Sequence, residues 1–253
     1  MPRRADLFFM HQAVQTHYDA FLAGSYSRIS GGSEEQIRKN RNFFLSHDIT
    51  PDGNTVAIDL GAGCGFQSVP LAGLGYSVTA VDFCGSLLDE LRSRAGDLPI
   101  QTIQSDILDF SLWSGRHPAL IVCMGDTLTH LPAPADVEDL IRQCFSELAP
   151  GGRLILTFRD YPREPKGAVE VIPVLRETNR IFLCRLEFHT DTLTVQDILY
   201  SGGRGIWERT AGKYTKIRIA PEMLNRMLAG AGFAIVFSAA ENGMMTIIAL
   251  KGR

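Results

Sequence analysis

Short apolar runs alternate with helical patterns through the middle of the chain. The apolar runs predict strands at Val56–Leu60, Val78–Val81, Ile100–Gln104, Ala119–Met124 and Leu154–Phe158. Helical periodicity predicts three intervening helices, at about Phe66–Leu74, Leu87–Ala95 and Asp136–Leu148. Ser86 with Asp89 predicts a capping box for the second of these helices. Strands that alternate with helices in this way predict βαβ units and a parallel sheet.

The segments on either side of this alternation have different patterns. Residues 1–50 carry two helical stretches separated by glycines, which predicts an N-terminal helical cap. Residues 162–219 carry short β-rich runs between turn residues, which predicts an antiparallel insertion. Pro221 then opens a last helix, and two strands follow at Phe233–Phe237 and Met244–Leu250.

Composition excludes several classes of protein. The chain has 253 residues, 45% of them hydrophobic and 21% charged, which is enough for a core and excludes disordered and fibrous classes. No apolar run reaches the roughly 18 residues of a membrane span, so we expect no membrane partner. Residues 7–10 are too short for the apolar part of a signal peptide, so we expect a cytoplasmic protein.

Net charge and cysteine content bear on the partners and on the kinds of site that the protein can have. A formal net charge of −3 gives no overall field that would attract nucleic acid or anionic lipid. The five cysteines are widely spaced and form no CxxC pair, so neither a disulfide framework nor a metal site is expected.

A glycine loop between the first predicted strand and helix is the most informative segment. Its sequence runs Asp59-Leu-Gly-Ala-Gly-Cys-Gly65, and glycines allow a backbone to approach a ligand closely. A dinucleotide fingerprint would place Gly or Ala where Phe66 stands. Asp59 at the strand end would repel a pyrophosphate but suit a positively charged ligand. S-adenosylmethionine carries an ammonium and a sulfonium and no phosphate, so it is favoured over a dinucleotide.

The pattern Asp59-x-Gly61-x-Gly63-x-Gly65 resembles the first motif of the class I, Rossmann-like S-adenosylmethionine-dependent methyltransferases. Further segments follow in the order of that family, namely Val78–Asp82, Gln104–Ile107, Pro150–Gly152 and Ala231–Phe233. The resemblance covers roughly residues 55–160 and 221–250. It implies S-adenosylmethionine as cofactor and S-adenosylhomocysteine as product.

The resemblance also completes the predicted fold. We expect an α/β, Rossmann-like, mostly parallel seven-stranded sheet with helices on both faces, an antiparallel β insertion before the last helix, and the N-terminal cap. The expected divisions are a cap or lid at residues 1–50, a cofactor-binding core at residues 51–161 and 220–253, and the insertion at residues 162–219.

By the same resemblance, the cofactor would be held by the glycine loop, the ends of the next strands and the cap. The candidate residues are Asp59, Gly61, Ala62, Gly63, Asp82, Phe83, Asp106, Ile107, Met124 and Tyr26. Asp82 would receive the ribose hydroxyls and Asp106 the adenine amino group, although either could be a solvated acid at a strand end. Asp109 is the alternative to Asp106 as the acid that binds the adenine amino group. Tyr18 could belong to the same lid, but core packing is the favoured explanation for it.

Polar residues after the fourth and fifth strands are the acceptor candidates, because ligands bind beyond the carboxyl ends of such strands. The segments Gly125–Pro132 and Phe158–Tyr161 resemble, more narrowly, the glycine and sarcosine N-methyltransferase branch. In that branch an asparagine and an arginine help to hold the amino-acid carboxylate. Asp126 replaces that asparagine and would repel a carboxylate unless protonated or paired with Arg159. An amine, an alcohol or a differently placed carboxylate is therefore expected rather than free glycine.

Three residues of these segments are the catalytic candidates, namely Asp126, His130 and Arg159. His130 could act as a base, because an unperturbed imidazole titrates near neutral pH, or it could be a capping or satisfied polar residue. Arg159 could contact the acceptor or form a surface salt bridge with Asp160 or Glu164.

A locally basic loop follows in the insertion, with the residues Arg204, Arg209, Lys213, Lys216 and Arg218. A solvated hairpin face is the favoured interpretation, and a contact with phosphate or RNA is the alternative. Nucleic acid is disfavoured as a partner, and a homodimer stays open.

The predicted function is methyl transfer from S-adenosylmethionine to a nitrogen or oxygen of a small molecule, by in-line displacement. Such a reaction needs proximity and orientation more than a catalytic dyad. The alternatives are a methyltransferase acting on RNA or protein and a non-catalytic cofactor-binding domain. A nicotinamide-dependent oxidoreductase is disfavoured by Asp59 and Phe66.

Overall fold

The computed structural model describes residues 14–22, 24, 26–161, 169–203 and 205–252. Within these residues the strands form a seven-stranded and a four-stranded sheet. The larger sheet contains β1 (Val56–Leu60), β2 (Ser77–Asp82), β3 (Ile100–Gln104), β4 (Leu120–Cys123), β5 (Arg153–Arg159), β10 (Phe233–Glu241) and β11 (Met244–Lys251). The smaller sheet contains β6 (Val169–Arg176), β7 (Arg180–Phe188), β8 (Thr192–Gly203) and β9 (Ile206–Ile217).

The larger sheet is parallel except at one edge. Its order is β10-β11-β5-β4-β1-β2-β3, and β11 runs antiparallel to both of its neighbours. The chain order reverses between β1 and β4, which creates a crevice at their carboxyl ends. The four strands of the smaller sheet pair antiparallel in chain order. This topology confirms the predicted fold class.

Helices cover both faces of the larger sheet. They are α1 (Tyr26–Ile29), α2 (Ser33–Ser46), α3 (Ser68–Gly73), α4 (Gly85–Ala95), α5 (Pro134–Glu147) and α6 (Pro221–Ala231). Residues of α5 and α6 pack with Ile121 and Cys123 of β4, whereas residues of α2 and α3 pack with Leu120 and Val122. Alternate residues of a strand face opposite sides of its sheet, so all four residues of β4 are buried.

The last helix illustrates how the sequence sets an element's ends. Proline is the first residue of α6, where its missing N–H costs no hydrogen bond. Gly232 ends the helix with a φ of 103°, and a Cβ there would lie 2.8 Å from the Phe145 ring of α5. Glycine is therefore required both by the backbone conformation and by the packing of α6 on α5.

The N-terminal segment lies against the insertion sheet. Val14 packs with Leu193, Val195 and Tyr214 in one buried cluster. Tyr18–Leu22 forms a short π-helix, and residues 1–13 lie outside the described part of the chain. The divisions proposed for cap, core and insertion stay predictions.

Two local predictions are wrong. The capping box of Ser86 and Asp89 does not form, since α4 has no side-chain cap and Asp89 pairs with Arg92 instead. The basic stretch interpreted as a loop is mostly strand, because β9 begins at Ile206. Arg204 lies outside the described residues. Across the described chain, no helix is long and apolar enough to cross a membrane.

Candidate active site

The glycine loop is shaped by close contacts as well as by its backbone. Gly61, Gly63 and Gly65 have φ values of 78°, 51° and 91°, which glycine adopts without strain. A Cβ at Gly61 would lie 2.5 Å from the Thr127 side chain, and one at Gly65 would lie 2.2 Å from Leu91. The loop is therefore pressed between α4 and the turn after β4, which leaves no room for larger residues at these two positions.

A cavity lies beside this loop and beneath the N-terminal segment, and we call it the inner cavity. It contains nine of the ten predicted cofactor residues, namely Tyr26, Gly61, Ala62, Gly63, Asp82, Phe83, Asp106, Ile107 and Met124. Tyr18, Phe66, Gln67, Thr127 and His130 also line it. The ends of β1, β2 and β4 thus meet at one site, as the order of the strands requires.

The carboxylates that line the inner cavity have no lysine or arginine beside them in the described lining. Its described lining residues include two carboxylates, Asp82 and Asp106, and no lysine or arginine. Such a lining suits a positively charged ligand without phosphate and does not suit a pyrophosphate.

Asp82 is held by the backbone on both sides of its strand end. Its carboxylate oxygens accept hydrogen bonds from Gly63 N–H and Cys84 N–H, each at 2.8 Å. Burial raises the pKa of Asp82 to about 6, although the hydrogen bonds from Cys84 and Gly63 oppose this rise. Because a carboxylate can accept about four hydrogen bonds, Asp82 retains capacity for a pair of ligand hydroxyls.

Asp106 and its competitor Asp109 have different surroundings. Asp106 lines the inner cavity, and its Oδ1 accepts the Leu108 N–H at 2.9 Å. Asp109 is exposed and accepts the Ser111 hydroxyl at 2.7 Å. The geometry therefore favours Asp106 as the ligand-facing acid of this segment.

Asp59 is placed differently from the prediction. It is fully buried and is not among the residues that line the inner cavity. Its Oδ2 accepts the Ser68 hydroxyl at 2.6 Å, whereas its buried Oδ1 has no hydrogen-bond partner among the described residues. Burial raises the pKa of Asp59 to about 7, against the lowering effect of Ser68. Asp59 thus joins the end of β1 to the start of α3 behind the loop.

Aromatic side chains close the inner cavity on the side of the N-terminal segment. The ring of Tyr26 stacks on Phe66 with centroids 6.0 Å apart, and Tyr18 meets Phe83 edge-on at 5.6 Å. Core packing was the favoured interpretation of Tyr18, but its side chain both packs and lines the cavity. Phe66, which stands where a dinucleotide fingerprint would have Gly or Ala, therefore forms part of the cavity wall.

His130 stands where the inner cavity meets a wider space between the core and the insertion, which we call the outer cleft. Thr127–His130 form a 3₁₀ turn directly after β4, and His130 lines both spaces. Its Nε2 lies 3.3 Å from the Tyr18 hydroxyl, and its ring stacks on Tyr214 at 5.3 Å. An imidazole here is in place to meet a group that approaches from the cleft.

Asp126 lines the outer cleft, but its ion pair differs from the predicted one. It is 4% exposed, and its Oδ1 accepts the backbone N–H of Arg159 at 2.8 Å. Its Oδ2 lies 2.6 Å from Lys216 Nζ and 3.1 Å from the Tyr161 hydroxyl. The charge partner is therefore Lys216 of β9, and the Arg159 guanidinium does not take this role.

Arg159 lines the outer cleft from the exposed end of β5. Among the described residues its guanidinium forms no ion pair, so the alternative of a salt bridge with Asp160 is not realised. Glu164 lies outside the described residues. Arg159 therefore stays a candidate for contact with a ligand in the cleft.

Two residues of the insertion were missed by sequence reasoning, although a signal existed. The basic stretch predicts a solvated face for Lys216, but this residue is 7% exposed. It lies two residues from the buried Tyr214, on the same face of β9. Asp197 likewise shares a face of β8 with buried Leu193 and Val195, and its Oδ2 lies 2.9 Å from His17 Nε2.

Comparison with known proteins agrees with this geometry. Residues 57–152 match the family described as methyltransferase domain. A glycine/sarcosine N-methyltransferase from Halorhodospira halochloris is 30% identical over 132 residues, which cover 49% of this chain and 47% of that protein. The chain spans about half the length of the first curated relatives it matches.

Solved structures share the fold over most of the chain. The CcbJ methyltransferase from Streptomyces caelestis has a TM-score of 0.75 at 20% identity, with 96% of this chain and 98% of that chain covered. CalS10, an amino pentose methyltransferase from Micromonospora echinaspora with S-adenosylmethionine bound, has a TM-score of 0.70 at 16% identity, with 90% and 95% covered.

These matches confirm the recognition of the methyltransferase class and the predicted fold, and they support the predicted enzyme class and cofactor. Residues 57–152 are thus similar to a methyltransferase domain, and the chain has the Rossmann-like fold of solved S-adenosylmethionine-dependent methyltransferases.

Proposed function

We propose that this protein transfers a methyl group from S-adenosylmethionine to a nitrogen or oxygen nucleophile of a small molecule. The observation that carries the proposal is the inner cavity, whose described lining has two carboxylates and no lysine or arginine, and which opens past His130 into the outer cleft. A cationic, phosphate-free nucleoside suits the cavity, and an acceptor can approach through the cleft.

The residues of the inner cavity fit this cofactor. Asp82 would accept the ribose hydroxyls and Asp106 with Ile107 would meet the adenine, while the glycine loop admits the ligand at close range. When bound, S-adenosylmethionine supplies a methyl group on a sulfonium sulfur, which is a good leaving group. The aromatic rings of Tyr18, Tyr26 and Phe83 would exclude water around it.

The outer cleft would orient the acceptor and manage its proton. His130 lines both spaces, as do Tyr18 and Tyr26, and its imidazole would accept a proton from an amine or hydroxyl. Burial raises the pKa of Tyr18 well above its usual range, so its hydroxyl stays protonated and would hold the imidazole until the acceptor replaces it at Nε2. Arg159 would hold an anionic part of the acceptor.

The distribution of basic residues favours a small acceptor over RNA. Lys216 is buried against Asp126, and Arg218 donates hydrogen bonds to the carbonyls of His189 and Thr190. Of the basic group in the insertion, Arg209 and Lys213 remain as exposed charges among the described residues. Two separate charges give a weak electrostatic attraction for a phosphate backbone.

Calorimetric titration with S-adenosylmethionine, S-adenosylhomocysteine and NAD tests the cofactor assignment. We expect binding of both sulfur ligands and no response to NAD. Asp82→Ala should weaken S-adenosylmethionine binding by about 100-fold, since it removes two charge-assisted hydrogen bonds. The matched control is Asp109→Ala, which removes an exposed acid of the same region and should bind as the wild type does.

A panel of small amines, amino acids, amino sugars and phenols, read by mass spectrometry of methylated products, tests the acceptor class. We expect at least one member to gain a methyl group in a reaction that Asp82→Ala abolishes. NAD binding, or transfer to RNA with none to the panel, would contradict the proposal.

A further inference from the structure

A buried ion pair joins the insertion sheet to the turn after β4. Lys216 Nζ lies 2.6 Å from Asp126 Oδ2, and the two side chains are 9% and 6% exposed. The same ammonium lies 3.4 Å from the Tyr161 hydroxyl. Among the described residues, Lys216 is the one ion-pair partner of Asp126. Because an isolated buried charge is strongly disfavoured, each of these charges depends on the other.

Asp126 in turn holds the two segments that carry the candidate acceptor residues. Its Oδ1 accepts the Arg159 N–H at the end of β5. Its carbonyl oxygen accepts the N–H and the hydroxyl of Thr129, at 3.2 and 2.9 Å, inside the turn that ends at His130. A displacement of Asp126 would therefore move His130 and Arg159 together.

Lys216 cannot serve this site as a base. Burial lowers its pKa, but the adjacent Asp126 carboxylate and then Tyr161 raise it further, so the pKa lies above its ordinary value. The ammonium therefore stays charged at neutral pH and has no lone pair to accept a proton. What it offers the site is a fixed positive charge.

We propose that Lys216 is a positioning residue for methyl transfer, which acts through Asp126 to place His130 and Arg159 against the acceptor. The inference rests on the proposed function, because it concerns the same acceptor site. It gives the insertion sheet a part in the reaction, since β9 supplies the charge that compensates a carboxylate of the core.

Charge-matched variants test this coupling. Lys216→Met removes the charge and keeps a long side chain, and the double variant Lys216→Met with Asp126→Asn removes both charges while keeping an oxygen for the Arg159 N–H. We expect Lys216→Met to lower kcat/KM for the acceptor by at least about tenfold, with a raised acceptor KM, because it leaves a buried carboxylate unpaired. The double variant should recover to within about threefold of the wild type.

Two controls separate positioning from loss of folded protein. Lys213→Met removes an exposed charge from the same strand and should leave kcat/KM unchanged. S-adenosylmethionine affinity should change by less than about threefold in every variant, because Asp126 and Lys216 do not line the inner cavity. A merely structural role would reduce the active fraction, and with it kcat, but leave the acceptor KM unaltered.

A second readout does not depend on finding an acceptor. The imidazole NMR signal of His130, assigned among the six histidines with His130→Gln, should shift in Lys216→Met and return in the double variant. If wild-type protein binds S-adenosylmethionine but methylates nothing, the proposed function fails and this signal alone decides the positioning role. An unchanged His130 signal, or a double variant no more active than Lys216→Met, would overturn the inference.

Discussion

The inner cavity and the outer cleft are built in different ways. Most residues of the inner cavity lie at or after the carboxyl ends of strands of one sheet, and its carboxylate Asp82 accepts hydrogen bonds from the backbone N–H groups of Gly63 and Cys84. The outer cleft depends on side-chain pairs between distant parts of the chain, Asp126 with Lys216 and His17 with Asp197. The inner cavity is therefore fixed mainly by local backbone geometry, whereas the outer cleft is fixed by the docking of two sheets and the N-terminal segment.

This difference explains why the residues of the inner cavity could be predicted from the sequence. The bounds of β1 and β3 agree with the predicted strands, because their apolar runs are short and end in clear turn signals. The acids that line the inner cavity stand at fixed offsets from those strands, so a motif suffices to find them. Asp82 is the clearest example.

The side-chain pairs of the outer cleft could not be predicted from the spacing of residues in the sequence. Asp126 and Lys216 are 90 residues apart, and nothing in either segment alone identifies the partner. Alternation along β9 does place Lys216 on the face of Tyr214, but a lysine in a basic stretch is normally solvated. The failed capping box at Ser86 has a simpler cause, because helix α4 begins at Gly85, two residues before the predicted start at Leu87, which places Ser86 inside the helix.

The largest effect is expected in the glycine loop of the inner cavity, at Gly61. Gly61→Ala would place a Cβ 2.5 Å from Thr127 at a φ of 78°, so the loop or the turn must move. We expect S-adenosylmethionine affinity to fall by at least about 100-fold in calorimetry. Gly115→Ala is the control, since it has a similar φ of 75° and open space around its Cβ. Equal losses in both variants would mean that backbone strain, and not the contact, is responsible.

The next effect concerns the buried acid behind the loop. The pKa of Asp59 in the folded protein is about 7, above the ordinary value that it has when unfolded, so the folded state holds its proton longer. Stability should therefore fall as pH rises from about 4 to about 7, by roughly 1 kcal/mol per pH unit. Urea unfolding at a series of pH values measures this slope. Asp59→Asn should flatten it, and a slope equal to that of the wild type would contradict the assignment.

A smaller effect is expected at the contact between the N-terminal segment and the insertion. Asp197→Asn leaves the buried His17 without its carboxylate partner and should lower the free energy of unfolding by about 2 kcal/mol. Asp191→Asn, an exposed acid in the turn before β8, should cost little. Circular dichroism of urea unfolding compares the two variants, and equal losses would remove the distinction between them.

The smallest effect is a pH dependence of cofactor binding. The pKa of Asp82 is about 6, and the carboxylate accepts hydroxyls better than the neutral acid does. Affinity for S-adenosylmethionine should therefore be constant above about pH 7 and fall by about tenfold as pH drops to about 5. Asp82→Asn should remove this dependence, and its persistence there would assign it to another group.

The shared face of β8 and β9 also has a consequence for protein engineering. Asp197 and Lys216 lie on elements of the insertion, yet each has a buried polar partner outside it, His17 for Asp197 and Asp126 for Lys216. A chimera that exchanges this sheet with that of a relative would bury polar groups without their partners unless positions 17 and 126 were exchanged as well. Any transplant or recombination of this region must treat the four residues as one inherited unit.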